Sequence, residues 1–278
     1  MARNPPSFER LIKPYTHQRP GAAFDLAAVD PAAKPFSGGG KQQDQQRVEE
    51  LAVALDGLQN LLFASRTRKL LVVLQGIDTS GKDGTLRTVF GRMSPLGVRT
   101  VAWKAPTDEE REHDFLWRIH QQVPRAGEVV AFNRSHYEDV LVPWVNGAFG
   151  EEELQRRYRQ INDFERLLSE TGTVLVKFLL HISRDEQRKR LQDRIDDPAK
   201  RWKFHAGDLE VRKQWDAYQD AYARAISATG TPHAPWYVVP ADSKTHRNLM
   251  IARVLQRTLE ALDLRLPDND GIASIRVR

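Results

Sequence analysis

Apolar residues recur at intervals of three and four positions between Gln43 and Ser65, which predicts an amphipathic helix with one face on a core. Five short apolar runs follow, and each predicts a buried strand: Lys69–Gln75, Val98–Trp103, Glu128–Phe132, Thr173–Ile182 and Trp236–Pro240. Helical patterns separate them, near residues 82–93, 108–122, 151–169, 184–194, 209–228 and 244–262. Such alternation is typical of βαβ units, so the prediction is a three-layer α/β/α fold with a mostly parallel five-stranded sheet.

The N-terminal segment has a different character. Residues 1–42 contain six prolines and the run Gly38–Gly40, which predicts an extended arm rather than a packed helix. Gly38–Lys41 superficially resembles a phosphate-binding loop, but no strand precedes it, so we interpret this run as a linker. Residues 43–278 are predicted to form a single domain.

Composition favours a cytoplasmic enzyme with an anionic partner. The 278 residues include 42 Lys and Arg against 37 Asp and Glu, and this positive balance suits a nucleotide, nucleic acid or another polyanion. The absence of cysteine excludes disulfides, thiol nucleophiles and Cys-ligated metal centres. No apolar run approaches the ~20 residues of a membrane span, and Met1–Lys13 lacks the apolar core of a signal peptide.

The first predicted strand runs into GIDTSGKDGT, residues 76–85, which fits G-x-x-x-x-G-K in its strand–loop–helix setting. Glycines allow backbone N–H groups to surround an anion, and the following helix adds its positive N-terminal end. Lys82 supplies a mobile charge for phosphate oxygens. The other phosphate-loop candidates are Gly76, Thr79, Ser80, Gly81, Asp83, Gly84 and Thr85.

The residue after this lysine is Asp83, where the motif usually has a Ser or Thr that binds Mg²⁺. Either the Asp83 carboxylate takes that role or another residue holds the metal. Asp78 is the first candidate, because a carboxylate beside phosphates is repelled unless a cation lies between them. Its alternative role is to accept hydrogen bonds from loop N–H groups.

A second polar cluster follows strand Glu128–Phe132: Asn133, Arg134, Glu138 and Asp139 come soon after its end. Polar residues at the carboxyl ends of parallel strands face the ligand crevice. An Asn-Arg-Ser sequence after a later strand, combined with a phosphate-binding loop, is similar to the pattern of nucleotide and nucleoside kinases.

Four ordered stretches resemble the polyphosphate kinase 2 family over about residues 62–264: GIDTSGKDGT (76–85), HDFLWRIHQQVPRAGEVVAFNRSHYEDVLV (113–142), EQRKRLQDRIDDPAKRWKF (186–204) with DLEVRKQWDAYQDAY (208–222), and APWYVVPADSK (234–244). The resemblance implies a P-loop kinase-like fold and phosphoryl transfer between inorganic polyphosphate and a nucleotide, with Mg²⁺ or in its place Mn²⁺. The form FNRSHYEDV is similar to the branch that accepts both AMP and ADP. The family resemblance also implies adenine or guanine nucleotides as partners and no nucleic acid or membrane partner. It further implies a homo-oligomer, either dimer or tetramer.

The resemblance also suggests roles for particular residues. Asp78, Lys82 and Arg134 are the expected catalytic residues. Many relatives have Asp at the position of Asn133, and because an amide carries no negative charge, Glu138 or Asp139 is expected to supply the missing metal carboxylate. Asn133 and Glu138 are also candidates for the acceptor nucleotide site, and capping of the following helix is the alternative role for Asn133.

A basic lid is predicted at about residues 184–208. Residues 184–203 contain eight Lys and Arg against five Asp and Glu. Arg184, Arg188 and Lys189 are interpreted as a solvated helix face. Basic residues further along are predicted to cover the phosphates, exclude water and follow a polymer: Arg190, Arg194, Lys200, Arg201 and Lys203.

The acceptor side is predicted to include Lys104, Arg118 and Arg134, because Arg offers a bidentate fork to phosphate. Trp117 either stacks on a base or belongs to the core. Two other function classes fit parts of the sequence: an ATP-dependent nucleotide or nucleoside kinase, and a noncatalytic polyanion-binding module.

Overall fold

The computed structural model describes residues 7–268, 272 and 275–277. Residues 1–6 of the predicted arm, and residues 269–271, 273, 274 and 278 of the predicted domain, lie outside that part. The described chain builds one sheet in the order β1-β6-β5-β2-β4-β3. Its strands are β1 Thr16–His17, β2 Lys69–Gln75, β3 Val98–Ala102, β4 Val129–Asn133, β5 Thr173–His181 and β6 Trp236–Pro240.

The five strands predicted from apolar runs are all present and pair in parallel, so the α/β prediction is confirmed. The predicted strand count was wrong by one. β1 pairs with β6 in the antiparallel sense through two residues, Thr16 and His17. A strand of two residues has no measurable alternation of apolar and polar positions, so the hydrophobic pattern could not reveal it.

Helices cover both faces of the sheet. α2 packs with α11 on one side, while α6, α7 and α10 pack together on the other. The helices are α1 Phe8–Ile12, α2 Lys41–Ser65, α3 Lys82–Thr85, α4 Asp108–Glu112, α5 Trp117–His120, α6 Glu138–Val145, α7 Glu151–Glu170, α8 Arg184–Asp196, α9 Gly207–Lys213, α10 Trp215–Thr229 and α11 Lys244–Glu260. Between these layers the central strands are almost completely buried, including Leu71, Val72 and Val73 of β2.

Three predicted helices are interrupted. The stretch near 82–93 is α3 followed by one π-helical turn at Leu86–Phe90. The stretch near 108–122 divides into α4 and α5, and the stretch near 209–228 divides into α9 and α10 at Gln214. Apolar periodicity continues across these short breaks, so it predicts one helix where the backbone forms two.

The N-terminal arm lies against the domain. Ile12, Leu26, Val29 and Phe36 are buried in the core, and α2 begins at Lys41. The Asp242 N–H donates to the carbonyl of Pro31, which ties the arm to the loop between β6 and α11. No helix in the described ranges combines the length and apolar character required to cross a membrane.

Candidate active site

A cavity of about 440 Å³ opens at the carboxyl ends of the parallel strands. The phosphate-binding loop, the ends of β3 and β4, the segment 190–208 and the start of α11 form its wall. Charged groups dominate the lining, with eight Lys and Arg against four Asp: Lys82, Arg134, Arg190, Arg194, Lys200, Lys203, Lys244 and Arg247, with Asp78, Asp83, Asp193 and Asp208. Such a surface favours a ligand with several negative charges.

The phosphate-binding loop curls around the side chain of Lys82. Its ammonium donates to the carbonyls of Gly76 at 2.6 Å and Ile77 at 3.4 Å. Only 7% of Lys82 is exposed, and burial, reinforced by Arg134, lowers the pKa of its ammonium. Gly81 has φ of +106°, and a Cβ at this position would lie 1.8 Å from Nη1 of Arg247. The loop therefore requires glycine there, for both its conformation and its contact with α11.

Arg134 lies between two carboxylates at the mouth of the loop. One nitrogen is 2.7 Å from Oδ1 of Asp78, and another is 3.3 Å from Oε2 of Glu138. Burial opposes the charge of Arg134, but these carboxylates outweigh it and raise its pKa. Burial raises the pKa of Glu138, which lies behind Arg134 and does not line the cavity. Glu138 is thus placed as a partner of Arg134, rather than on the cavity surface where the metal prediction put it.

Asn133 and Asp83 form a direct pair. The Asn133 side-chain amide donates to Oδ1 of Asp83 at 2.7 Å, joining the end of β4 to the phosphate-binding loop. The alternative of a helix cap is not what the structure shows, since α6 begins at Glu138 with no side-chain cap. The carboxylate at this junction therefore belongs to the loop, on Asp83, and the amide belongs to the strand.

These carboxylates fit a divalent cation that also binds substrate phosphates. Among the described residues, no three His, Asp or Glu side chains form a group that could hold a metal ion unaided. Mg²⁺ typically uses one or two carboxylates together with phosphate oxygens and waters. Asp78 and Asp83 line the cavity beside Lys82 and offer this donor set.

The predicted lid residues have different environments. Lys200, just before the turn Arg201–Lys203, and Lys203, at its end, line the cavity. The Arg201 side chain donates to the Ile195 carbonyl and does not line it. Arg194 lines it too and reaches the Lys203 carbonyl and Oδ2 of Asp208, both at 3.2 Å. Arg194 therefore ties α8 to the far side of the lid.

Arg190 is buried and acts as a clamp. Its guanidinium donates to the carbonyls of Thr79 and Ser80 in the loop, and to those of Ala241 and Asp242 after β6. Four carbonyl partners fix two strand-end loops to α8. The sequence predicts that Arg190 contacts polyphosphate, and this stays a prediction because Arg190 lines the cavity; its hydrogen bonds show that it also positions the phosphate-binding loop.

The predicted acceptor side is only partly assembled. Arg118 is 5% exposed, donates to the Lys104 carbonyl and pairs with Asp139 at 2.9 Å, so its fork is already occupied. Trp117 stacks on His113 with ring centroids 3.9 Å apart. Neither residue lines the cavity, and nor does Lys104, whereas Asn133 and Arg134 do. Helical spacing alone could not show which way these side chains point.

Sequence reasoning missed several residues of the site. Lys244 and Arg247 come from α11, and other missed residues also line the cavity: Ala102, Trp103, Asp193, His205 and Asp208. One signal was available: Asp242-Ser243-Lys244 follows β6, so the rule that polar residues at strand ends face the crevice would have found Lys244. Trp103 follows β3 at the same edge, where it packs edge-to-face on Phe132 with centroids 5.3 Å apart.

A buried polar network anchors the segment that carries Arg134. Nζ of Lys177 lies 2.6 Å from Oε2 of Glu165 and 2.9 Å from the Tyr137 hydroxyl. His136 Nε2 lies 3.2 Å from the other Glu165 oxygen. All four side chains are fully buried. Because His136 and Tyr137 directly follow Arg134-Ser135, this network fixes the position of the segment that carries Arg134.

A parallel sheet, a G-x-x-x-x-G-K loop around a buried lysine and a basic lid together define the P-loop class of phosphate-transferring proteins. The profile of the family described as Polyphosphate kinase 2 (PPK2) matches residues 39–267. The chain belongs to that family.

Individual relatives agree with this assignment. The chain is 50% identical over 256 residues to the AMP/ADP-polyphosphate phosphotransferase of Meiothermus ruber, covering 92% of this chain and 96% of the relative. It is 40% identical over 260 residues to the ADP-polyphosphate phosphotransferase of Rhodopseudomonas palustris, covering 89% and 90%. The crystal structure of Polyphosphate Kinase 2 from Arthrobacter aurescens TC1 superposes with a TM-score of 0.88 at 48% identity, covering 91% of this chain and 90% of that one.

Proposed function

We propose that the protein transfers a phosphoryl group between inorganic polyphosphate and nucleotides, with AMP and ADP as acceptors. The observation that carries this proposal is a cavity lined by Lys82 of the phosphate-binding loop and by seven further Lys and Arg side chains. Polyphosphate and a nucleotide both carry several negative charges and repel each other. A positively charged site lowers the electrostatic cost of bringing them together. The names of the relatives from Meiothermus ruber and Rhodopseudomonas palustris support the same reaction.

The geometry fits an in-line transfer without a dedicated general base. A terminal nucleotide phosphate has a second pKa of about 6, so its attacking oxygen is already ionised at neutral pH. Lys82 and Arg134 line the cavity close to one another and supply positive charge where the transferred group gains negative charge. Lys200 and Lys203 add charge from the lid. The protein therefore contributes mainly position and charge neutralisation.

We propose Asp78 and Asp83 as the residues that hold Mg²⁺. A bound Mg²⁺ would neutralise phosphate charge and orient the reacting groups. Asp78 now pairs with Arg134, and Asp83 accepts from Asn133, so each carboxylate has a protein partner that fixes its position. Guanine as an alternative base, Mn²⁺ as a substitute and a dimeric or tetrameric assembly stay predictions.

A direct assay tests the function. The purified protein is supplied with AMP or ADP, long-chain polyphosphate and Mg²⁺, and the nucleotide products are separated and quantified. We expect ADP from AMP and ATP from ADP. A reaction that needs ATP and ignores polyphosphate would instead identify an ATP-dependent nucleotide kinase. Tight binding of polyphosphate with no turnover would identify a polyanion-binding module.

Asp78→Asn should weaken Mg²⁺ binding and lower the activity together, because the metal loses an anionic ligand. The measurement is kcat against Mg²⁺ concentration, and we expect the midpoint to rise severalfold. Asp193→Asn, which removes a cavity carboxylate away from the loop, is the matched control. An unchanged midpoint with reduced kcat would show that Asp78 shapes the loop through Arg134.

The double variant Lys200→Gln/Lys203→Gln should raise the KM for polyphosphate more than the KM for the nucleotide. Both lysines line the cavity from the lid, and their contacts are partly exposed, so the effect should depend on salt, which screens over ~8 Å at physiological ionic strength. Arg188→Gln on the exposed face of α8 is the control and should change either KM by less than about twofold. Equal changes in both KM values would mean that the lid only closes the site.

A further inference from the structure

A second groove joins the active-site cavity. Its volume is about 470 Å³, and it lies between the N-terminal arm, the start of α2, the middle of α8 and the start of α11. Asp193 and Lys244 line both spaces. A ligand too long for the cavity can therefore continue past Lys244 into the groove without leaving the protein surface.

Four lysines line this groove, and none has a carboxylate within 4 Å in the described part of the chain: Lys34, Lys41, Lys189 and Lys244. We grouped Lys189 with Arg188 on a solvated face, but the structure separates them, since only Lys189 lines the groove. Unpaired ammonium groups from four segments are therefore available to an anion.

Four carboxylates also line the groove, and three of them are occupied within the protein. Asp44 accepts from the Ser37 hydroxyl at 2.8 Å, and Glu186 pairs with Arg190 at 2.7 Å. Asp242 accepts from the Ser183 N–H at 2.8 Å. Asp193 is the remaining one, at the junction with the active-site cavity. In the groove beyond that junction the carboxylate oxygens are thus engaged by protein donors, whereas the lysines have no carboxylate partner among the described residues.

Two helix N-termini add to this charge. α2 has 25 residues and begins after Gly40, which has φ of +152°. Gly40 provides no side-chain cap, so no capping side chain accepts from the first N–H groups of the helix. α11 begins at the groove too, where the Ser243 hydroxyl accepts from the His246 N–H and the helix dipole still adds positive charge. The Gly38–Lys41 run, which we interpreted as a linker, is thus the turn that starts α2, and Gly40 and Lys41 form part of the groove wall.

Arg247 lies on α11 with Lys244, and both line the active-site cavity. Arg247 is 2% exposed and donates to the Ser80 carbonyl at 3.2 Å and to Oδ1 of Asn248, with no carboxylate partner in the described residues. Burial and the neighbouring Arg190 lower its pKa to about 9. A buried guanidinium without a counter-charge is costly, and an anion at the loop would supply that counter-charge.

We propose that this groove, lined by Lys34, Lys41, Lys189 and Lys244, binds the part of a polyphosphate chain that extends beyond the phosphates at the loop. The proposal rests on the proposed function and adds a second subsite to it. Polyphosphate is a flexible polymer with about one charge per unit, so it can follow a line of spaced cations from Arg247 through Lys244 to the arm. Short polyphosphates would end before the arm.

The test compares long-chain polyphosphate with tripolyphosphate. The triple variant Lys34→Gln/Lys41→Gln/Lys189→Gln leaves the active-site lining intact. Its matched control, Arg68→Gln/Arg92→Gln/Arg188→Gln, removes the same number of exposed, unpaired charges outside both spaces. We expect the groove variant to raise the KM for long-chain polyphosphate about tenfold, as loss of three partly screened contacts implies. Its kcat, its nucleotide KM and its use of tripolyphosphate should stay within about twofold of the unmodified protein.

Equilibrium binding of long-chain polyphosphate is measured beside turnover. If the unmodified protein binds polyphosphate but never transfers phosphate from it, the proposed function fails while the groove is still judged by binding. Equal affinity of the groove variant and the unmodified protein would overturn the groove. So would equal losses in the groove and control variants, or equal losses for long and short polyphosphate, since either result means general attraction by net charge.

Discussion

Lys82→Met should lower kcat at least about a hundredfold, the usual cost of losing a charge that stabilises the transition state. Methionine keeps most of the length of the lysine side chain, so the fold should persist. The carbonyls of Gly76 and Ile77 would lose a donor, which costs about 1–3 kcal/mol when a buried acceptor is left unpaired. The measurement is kcat with ADP and polyphosphate, together with thermal unfolding.

Lys69→Met is the matched control. Lys69 lies at the other end of β2, and its ammonium also donates to a backbone carbonyl, that of Thr171 at 2.9 Å. We expect its kcat to stay within about twofold. If Lys82→Met kept more than about a tenth of kcat, Lys82 would not be the phosphate-binding lysine.

Lys177→Met should reduce the free energy of unfolding by about 3–5 kcal/mol, because it leaves Glu165 buried without its counter-charge. Burial lowers the pKa of Lys177, while Glu165 opposes that shift. The double variant Glu165→Gln/Lys177→Met removes both charges and should recover most of the loss. Chemical denaturation of the two variants measures the difference.

An exposed pair provides the comparison. Arg166 and Asp163 lie 2.9 Å apart, with 58% and 66% of their side chains exposed, and Arg166→Met should cost less than about 1 kcal/mol. If Lys177→Met were as mild, water or another group would be compensating Glu165, and the network would not anchor the segment after β4.

The parts of the site that are continuous in sequence could be predicted. Lys82, Asp78 and Gly81 lie in one motif, and Arg134 follows a strand whose apolar run marks its end. The five longer strands were also visible, because each contains a run of mainly apolar residues. These signals need no knowledge of which side chains meet across the fold.

The parts of the site that depend on side-chain direction could not be predicted from the sequence. Arg190 and Arg194 are one helical turn apart, yet one clamps two loops and the other joins α8 to Asp208. The sequence predicts that Arg118 binds phosphate, but in the fold its guanidinium pairs with Asp139. Arg247 contacts the phosphate-binding loop from α11, far along the chain, and no residue pattern near the motif predicts that contact.

The pairing of β1 with β6 has a consequence for the order of folding. Thr16 pairs with Tyr237, so β1 is synthesised long before its partner strand. During translation the arm must remain undocked until β6 emerges, because a contact of such sequence separation closes late. β1 also covers part of an edge strand, and an uncovered edge can pair with other chains. Shortening the arm, or fusing a bulky partner to it, is therefore expected to favour aggregation during production.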